Sequence, residues 1–206
     1  MSAWGISHLN SMNELGANKV VALEAFEREY LAHIAPEVRK ECILCLDPGE
    51  TMGWTVFVDA HILRCGQLPI KTQLAQGRSI SHALNIFFDD LVGVEPADGW
   101  PGVTVDACVM EDYVVYGHKM QANIWNPLFT VRLIGALQFA CSERKIPIIY
   151  QMASEAKFFA TDDKLKRWGL FQEKLKHTND SVRHGVYYML RKSSMTRRNG
   201  NGKQRA

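Results

Sequence analysis

The sequence predicts an α/β fold in which helices flank a mixed five-stranded sheet, with a helical extension at the N-terminus. Short apolar runs with strand character are separated either by turn residues or by segments of helical period. The first three runs follow one another on short connections, which indicates antiparallel hairpins, whereas the later runs alternate with helices. At 206 residues, the chain is long enough for one domain with a substantial core and short appendages.

Residues 1–40 form the predicted N-terminal helical extension. Its apolar residues fall on one helical stripe, which Pro36 ends: Leu23, Phe26, Tyr30 and Ile34. Three roles are compatible with such an extension. It covers a sheet edge, mediates dimerisation, or folds as a small independent module.

The predicted main domain spans residues 41–192. Its strands are 42–47, 53–58, 62–66, 107–110 and 146–150, and Pro147 favours an edge position for the last of them. A helix of clear period runs from Ile80 to Leu91, and another begins near Asn126-Pro127, where proline suits a first turn. Short helices are expected at 154–159 and 162–168, and a last helix at 179–192.

The net charge of +2 is unevenly distributed along the chain. Residues 191–206 carry six Lys or Arg residues and no acid, while residues 1–190 carry 18 basic against 22 acidic residues. Residues 193–206 are therefore predicted to be a basic, disordered tail. Such a tail either binds a polyanion or only improves solubility.

Cysteine usage and hydropathy predict a cytoplasmic protein. The five cysteines lie mostly in apolar segments, and an odd number favours buried free thiols in a reducing compartment. No apolar run is long enough to cross a bilayer, and the first ten residues lack the pattern of a signal peptide.

Two acidic residues stand where predicted strands end. Asp47 closes the first strand before Pro48-Gly49, and Glu111 follows the fourth. Asp before Pro-Gly is also a common turn former. The order of elements matches the ribonuclease H-like fold, in which the first strand is central and pairs in parallel with the fourth. The two carboxylates then lie side by side, on strands about 4.8 Å apart.

Two carboxylates this close repel each other, so a divalent cation between them is the expected solution. Magnesium takes oxygen ligands and completes its shell with water and substrate phosphates. Further ligands are available near the start of the last helix, where Asp180 and His184 share a face. His177 joins them only if the helix already includes it, because Thr178 or Asn179 is also a suitable N-cap. Ordinary first-turn helix chemistry is the competing explanation for Asp180.

Over residues 42–190, the sequence resembles the RuvC family of Holliday-junction resolvases, particularly its phage-encoded relatives. The resemblance rests on three motifs in order: Leu46-Asp47-Pro48-Gly49 with Gly53-Trp54, Val109-Met110-Glu111-Asp112-Tyr113, and His177-Thr178-Asn179-Asp180 with Arg183-His184.

The resemblance implies a catalytic and metal-binding quartet of Asp47, Glu111, His177 and Asp180. Many family members have Asp at the position of His177, whose imidazole either binds metal when neutral or contacts water or phosphate when protonated. Asp112 is expected to point to the opposite face of its strand.

The expected chemistry is two-metal hydrolysis of a DNA phosphodiester by magnesium (Mg²⁺), for which manganese (Mn²⁺) substitutes. The family resemblance further implies a homodimer that cuts four-way junctions by paired symmetric nicks, in DNA recombination and repair. No membrane partner is expected.

Binding of branched DNA is expected to depend mainly on phosphate contacts. Aromatic side chains after the fourth strand are candidates for stacking on splayed bases. A solvated helix face or core packing explains each of these residues equally well. The candidates are Lys119, Arg132, Lys157, Lys164, Lys166, Arg167, Arg183, Tyr113 and Tyr116.

Three rival functions share parts of this pattern. Other ribonuclease H-like nucleases, such as a hybrid-specific ribonuclease, a packaging nuclease or a transposase, use similar carboxylates. The sugar-kinase and chaperone ATPase fold also ends its first strand in Asp-x-Gly, but it needs a second Gly-rich loop that residues 100–206 lack. A catalytically inactive relative that binds branched DNA is the third.

Overall fold

A computed structural model describes residues 24–92, 104–113 and 126–202. Its sheet has the strand order β3-β2-β1-β4-β5, with β1 in the centre. Strand β1 pairs antiparallel with β2 and parallel with β4, and β5 adds to β4 in parallel. The predicted mixed five-stranded sheet flanked by helices is confirmed. The strands are β1 Ile43–Asp47, β2 Met52–Val58, β3 His61–Leu68, β4 Ala107–Asp112 and β5 Ile148–Met152.

The later helices follow the predicted order, but two helices were not predicted. Helix α1 begins at Pro36, where the sequence predicted a helix end, because proline suits the first turn of a helix, and α2 follows β3. Strand β5 lies at the sheet edge, as Pro147 indicated, but it begins two residues later than expected. The helices are α1 Pro36–Arg39, α2 Ile70–Ala75, α3 Ile80–Val92, α4 Asn126–Glu143, α5 Ala153–Phe159, α6 Asp162–Arg167 and α7 Lys176–Gly202. In the part of the chain that these ranges cover, no helix has the length and apolar character needed to span a membrane.

Helix α7 is longer at both ends than the predicted 179–192. Residues 193–202, which the sequence placed in a disordered tail, continue the helix. One physical reason is Ser193, which is fully buried. Its hydroxyl donates to the carbonyl of Met189 (2.6 Å) and accepts from the backbone N–H of Ala35 (2.9 Å). Helix α7 is therefore hydrogen-bonded to the N-terminal segment at Ser193, within the region that the sequence predicted to be a disordered tail.

Residues 24–40, the N-terminal segment, belong to the domain core. They pack on the α7 face of the sheet, where Tyr30 and Ile34 are fully buried beside Val182 and Met189. The Tyr30 ring also stacks on Trp168, with centroids 5.6 Å apart. The predicted apolar stripe is thus buried, but against the domain, and this segment is not a separate appendage. Leu23 and the rest of residues 1–23 lie outside the described residues.

Alternation along β1 and β4 sorts their side chains between the two faces of the sheet. Leu44 and Leu46 join the core beneath α3 and α4, whereas Ile43 and Cys45 join the core beneath α7. Because side chains alternate along a strand, Asp47 lies on the α7 face. The same alternation in β4 places Glu111 on that face, since Val109 packs there.

We expect Gly135→Ala to stabilise the protein. Gly135 lies inside α4, and a Cβ built there meets no atom within 4 Å. Alanine at an interior helix position is favoured over glycine by about 0.5–1 kcal/mol. Urea unfolding should show this gain, and an unchanged or lower unfolding free energy would contradict it.

Candidate metal centre

Asp47 and Glu111 stand together at the carboxyl ends of the parallel pair β1 and β4. The paired register runs to Leu46 opposite Met110, and the two acids are the next residues of their strands. The negative charge of Glu111 raises the pKa of Asp47, so the two carboxylates are close enough to interact electrostatically. The predicted placement of these two acids is confirmed. Asp112, the next residue of β4, is exposed and follows the strand alternation to the opposite face.

Helix α7 begins at Lys176, so that His177 lies in its first turn. The Nδ1 atom of His177 is 2.9 Å from Oδ2 of Asp47. Thr178 and Asn179, the two alternative N-caps, do not cap the helix, because both side chains make hydrogen bonds to other segments of the chain. Thr178 donates to the carbonyl of Gly66 (2.7 Å), and the Asn179 amide makes two 2.8 Å bonds to the backbone of Gln172.

Three predicted ligands come together as one group. Asp47, His177 and Asp180 each offer one ligand atom, and these atoms lie within 4.8 Å of one another. Opposite oxygens around a single Mg²⁺ are about 4 Å apart, so the spacing suits one shared divalent ion. Asp47 and Asp180 are buried, and His177 is partly exposed. Two buried carboxylates beside an imidazole are a donor set that fits a divalent metal.

Glu111 lies beside this group and is held by His184. The buried imidazole donates from Nε2 to Oε2 of Glu111 (3.1 Å), while its Nδ1 is 3.0 Å from the side-chain oxygen of Gln151. Gln151 pairs with Glu111 in the β4–β5 ladder. Sequence reasoning missed Gln151. The available signal was a polar residue just after the last apolar strand, which is parallel to β4 and therefore ends at the same edge.

Two cations contact Asp180. Arg183 donates to it from Nη1, to Asp162 from Nη2 and to the carbonyl of Ala160 from Nε (3.0 Å). Nζ of Lys157 is 3.4 Å from the other oxygen of Asp180. Only 11% of the Arg183 side chain is exposed, so it braces the acidic group from inside. Lys157 is half-exposed and borders the group from the solvent side.

The two strand carboxylates have opposite pKa shifts. Burial, followed by the charge of Glu111, raises the pKa of Asp47 from 3.8 to about 6, although the hydrogen bond with His177 opposes the shift. Burial also acts to raise the pKa of Glu111, but the hydrogen bond and charge of His184, together with the charge of Lys157 and a hydrogen bond with Asp47, lower it overall. A buried carboxylate with a raised pKa gains from a cation, which favours its charged form.

In the metal-free protein, we expect Asp47 to reduce stability as the pH rises from 5 to 7.5. The folded state keeps a proton on Asp47 that the unfolded chain has released, so the unfolding free energy falls with rising pH. The full difference between 3.8 and about 6 corresponds to about 3 kcal/mol, of which roughly half is lost between pH 5 and 7.5 and the rest at lower pH. The lowered pKa of Glu111 acts with the opposite sign, but below its ordinary value of 4.5.

Urea unfolding in EDTA at several pH values measures this effect. Asp47→Asn should remove the fall, so that the variant gains stability relative to the wild type as the pH rises. Parallel pH profiles for the two proteins would contradict the prediction.

Three of the predicted DNA-binding cations cluster at α6, on the α7 side of the sheet. Lys164 donates to the carbonyl of Phe159 (2.7 Å), and Arg167 pairs with Glu29 (2.6 Å). Lys166 lies over an aromatic ring, 4.8 Å from its centroid. All three cations therefore already make contacts within the protein.

Of the remaining DNA-binding candidates, the structure describes Arg132 and Tyr113. Arg132 is exposed on α4, which packs on the other face of the sheet from α7. Tyr113 follows β4 and is 39% exposed. Lys119 and Tyr116 lie outside the described residues.

The fold is similar to that of solved RuvC structures. A Thermus thermophilus RuvC in complex with a Holliday junction substrate superimposes with a TM-score of 0.52 at 14% identity, over 73% of this chain and 93% of that one. A second Thermus thermophilus RuvC structure gives a TM-score of 0.47 at 13% identity, over 72% and 93%. No protein-family model matches the chain, and no curated protein sequence does either. The first likeness supports the ribonuclease H-like fold.

Proposed function

We propose that this protein is a metal-dependent endonuclease that resolves four-way (Holliday) junctions and related branched DNA by paired symmetric nicks. The observation that carries the proposal is the convergence of Asp47, His177 and Asp180 at the carboxyl edge of β1 and β4, with Glu111 beside them. Structural likeness to a RuvC bound to a junction supports the substrate class.

In the proposed site, divalent ions would be held by Asp47, Glu111, His177 and Asp180, and Mg²⁺ is the proposed identity. A bound metal would supply activation of the attacking water and stabilisation of the leaving oxygen. His184 orients Glu111 toward the group, while Gln151 fixes the other side of the imidazole. His177 is 39% exposed on its side chain, so it is accessible to the scissile phosphate as well as to metal.

The proposed DNA contacts begin next to this group. Lys157 is a half-exposed cation 3.4 Å from Asp180, and a phosphate entering beside Asp180 would come within its reach. The other proposed DNA contacts are Lys164, Lys166, Arg167, Arg132, Tyr113, Lys119 and Tyr116. For Arg183 we propose a positioning role, because its guanidinium is committed to Asp180 and Asp162. Two symmetric nicks need two such centres, so we propose a homodimer.

The test is a panel of labelled substrates incubated with magnesium or manganese: a four-way junction, a flap, a plain duplex and an RNA–DNA hybrid. We expect paired symmetric nicks in the junction and little cutting of the duplex. EDTA should abolish cleavage. Cleavage of the hybrid alone would overturn the proposal in favour of a hybrid-specific ribonuclease, and a monomer both free and bound to DNA would overturn the homodimer.

A further inference from the structure

A basic groove lies between the N-terminal segment, α6 and the carboxyl-terminal half of α7. Its volume is about 750 Å³, which is within the range of ordinary ligand sites. Glu29 is the acidic residue among its lining side chains. Five Lys or Arg residues also line the groove: Arg28, Lys164, Arg167, Arg191 and Arg197.

The positive charge of this groove is not neutralised from within. Glu29 is shared between Arg28 (3.4 Å) and Arg167 (2.6 Å). Lys164 and Arg197 donate to backbone carbonyls, which carry no net charge. Half of the Arg191 side chain is exposed, and its ion pair with Glu155 is long at 3.7 Å. The groove therefore suits an anionic ligand.

Aromatic rings lie among these cations. The rings of Phe159 and Tyr187 are 5.7 Å apart, and both side chains are partly exposed. Lys164 lies 4.9 Å from the centroid of Phe159, and Arg191 lies 5.7 Å from that of Tyr187. Alternating cations and rings match the alternation of phosphates and bases along a nucleic-acid strand.

Helix α7 connects the metal centre with the groove, because it carries Asp180 near its start and Tyr187, Arg191 and Arg197 further along. Asp180, Tyr187 and Arg191 are seven and four residues apart, which places them on one helical stripe. At 1.5 Å per residue, Tyr187 is about 10 Å and Arg197 about 25 Å along the axis from Asp180. Phosphates of one B-form strand rise 3.4 Å each, so this span corresponds to about three to seven nucleotides.

We propose that this groove binds one DNA strand of the substrate about three to seven nucleotides from the scissile phosphate. The proposal rests on the proposed nuclease function. Arg191 and Arg197 contact phosphates, and the Tyr187 ring stacks on a base or packs against a sugar. Residues 1–23 of this chain carry one Glu and one Lys, so they offer the groove no net negative charge.

Fluorescence anisotropy with a labelled four-way junction tests the groove, with Asp47→Asn as the background to prevent cleavage. We expect the added Arg191→Gln and Arg197→Gln pair to weaken binding at least fivefold. It should also reduce the slope of log K against log salt by about 0.9 for each lost phosphate contact. Tyr187→Leu should weaken binding about fivefold or more without changing that slope.

Lys145→Gln is the matched control. Lys145 is exposed and lies between α4 and β5, next to residues that pack on the face of the sheet opposite α7 and the groove, so its removal should change neither affinity nor slope. Melting temperatures should show that each variant is folded.

Unchanged affinity and slope in the double arginine variant would overturn the groove proposal. Nicking of the junction by the wild-type protein tests the nuclease function separately. Failure of the groove proposal can therefore be distinguished from failure of the proposed function. Tighter binding of polyglutamate than of DNA, lost in the same arginine variants, would identify an acidic peptide as the occupant and also overturn the proposal. A protein that binds no nucleic acid would overturn both.

Discussion

Asp47→Asn is expected to abolish metal-dependent nicking of a four-way junction. Asp47 links the helix and strand residues of the centre, because it contacts His177 of α7 and interacts with Glu111 of β4. Removing its charge removes a metal ligand while preserving the shape of the side chain. We expect a loss of about 10³-fold or more in the cleavage rate, equivalent to ~4 kcal/mol of transition-state stabilisation. Junction binding should persist, because it depends on phosphate contacts elsewhere.

Single-turnover cleavage and anisotropy measure these two effects on one substrate. Asp112→Asn is the matched control, because this neighbouring carboxylate is exposed and on the opposite face of β4. It should retain activity within about twofold, since surface substitutions away from a site have small effects. If both variants lost activity equally, or if Asp47→Asn still nicked the junction, the assignment of the centre would be wrong.

Gly53→Ala is expected to disrupt the metal centre by separating α7 from the sheet. A Cβ at position 53 would lie 1.9 Å from the carbonyl oxygen of His177 and 2.8 Å from the N–H nitrogen of Thr178. Both contacts are with backbone, which cannot rotate away as a side chain does. The helix must therefore move, and His177 and Asp180 move with it. Overpacking of this kind typically destabilises by 1–3 kcal/mol, and a displacement of about 1 Å reduces catalysis by ~10²-fold.

Gly49→Ala is the matched control in the same turn region. A Cβ at position 49 meets its nearest atom, the carbonyl oxygen of Thr51, at 3.5 Å, which is ordinary contact. Urea unfolding and cleavage assays should show near wild-type behaviour for this variant, and Gly135→Ala should cleave at the wild-type rate. Wild-type stability and activity in Gly53→Ala would mean that the close approach of β2 and α7 is not needed.

Residues in the strands were predictable to the level of individual side chains. Asp47 and Glu111 follow apolar runs, and a period of two fixes the face on which each carboxylate lies once the sheet is known. The parallel pairing of β1 with β4 follows from the order of elements, which is why the meeting of these acids was predictable. The apolar stripe at Phe26, Tyr30 and Ile34 was equally clear, but it did not reveal what covers it.

The helix side of the centre was less predictable. Spacing placed Asp180 and His184 on one face of a helix, but it could not tell which strand residue each would meet. That depends on the rotation and height of α7 over the sheet, which Gly53 and Gly185 decide by close contact with His177, Phe57 and Cys45. The pairing of His184 with Glu111 and of His177 with Asp47 follows from this placement.

By itself, the sequence determined the order of strands and helices, the acids at the strand ends and the excess of positive charge near the carboxyl terminus. Only the tertiary structure decided that the N-terminal segment enters the core, that Arg183 is committed to Asp180, and that Arg28 and Arg191 line one groove. The physical reason is range. Periodicity and turn chemistry act within a few residues along the chain, whereas contacts between distant elements depend on how those elements pack, and no local pattern records that.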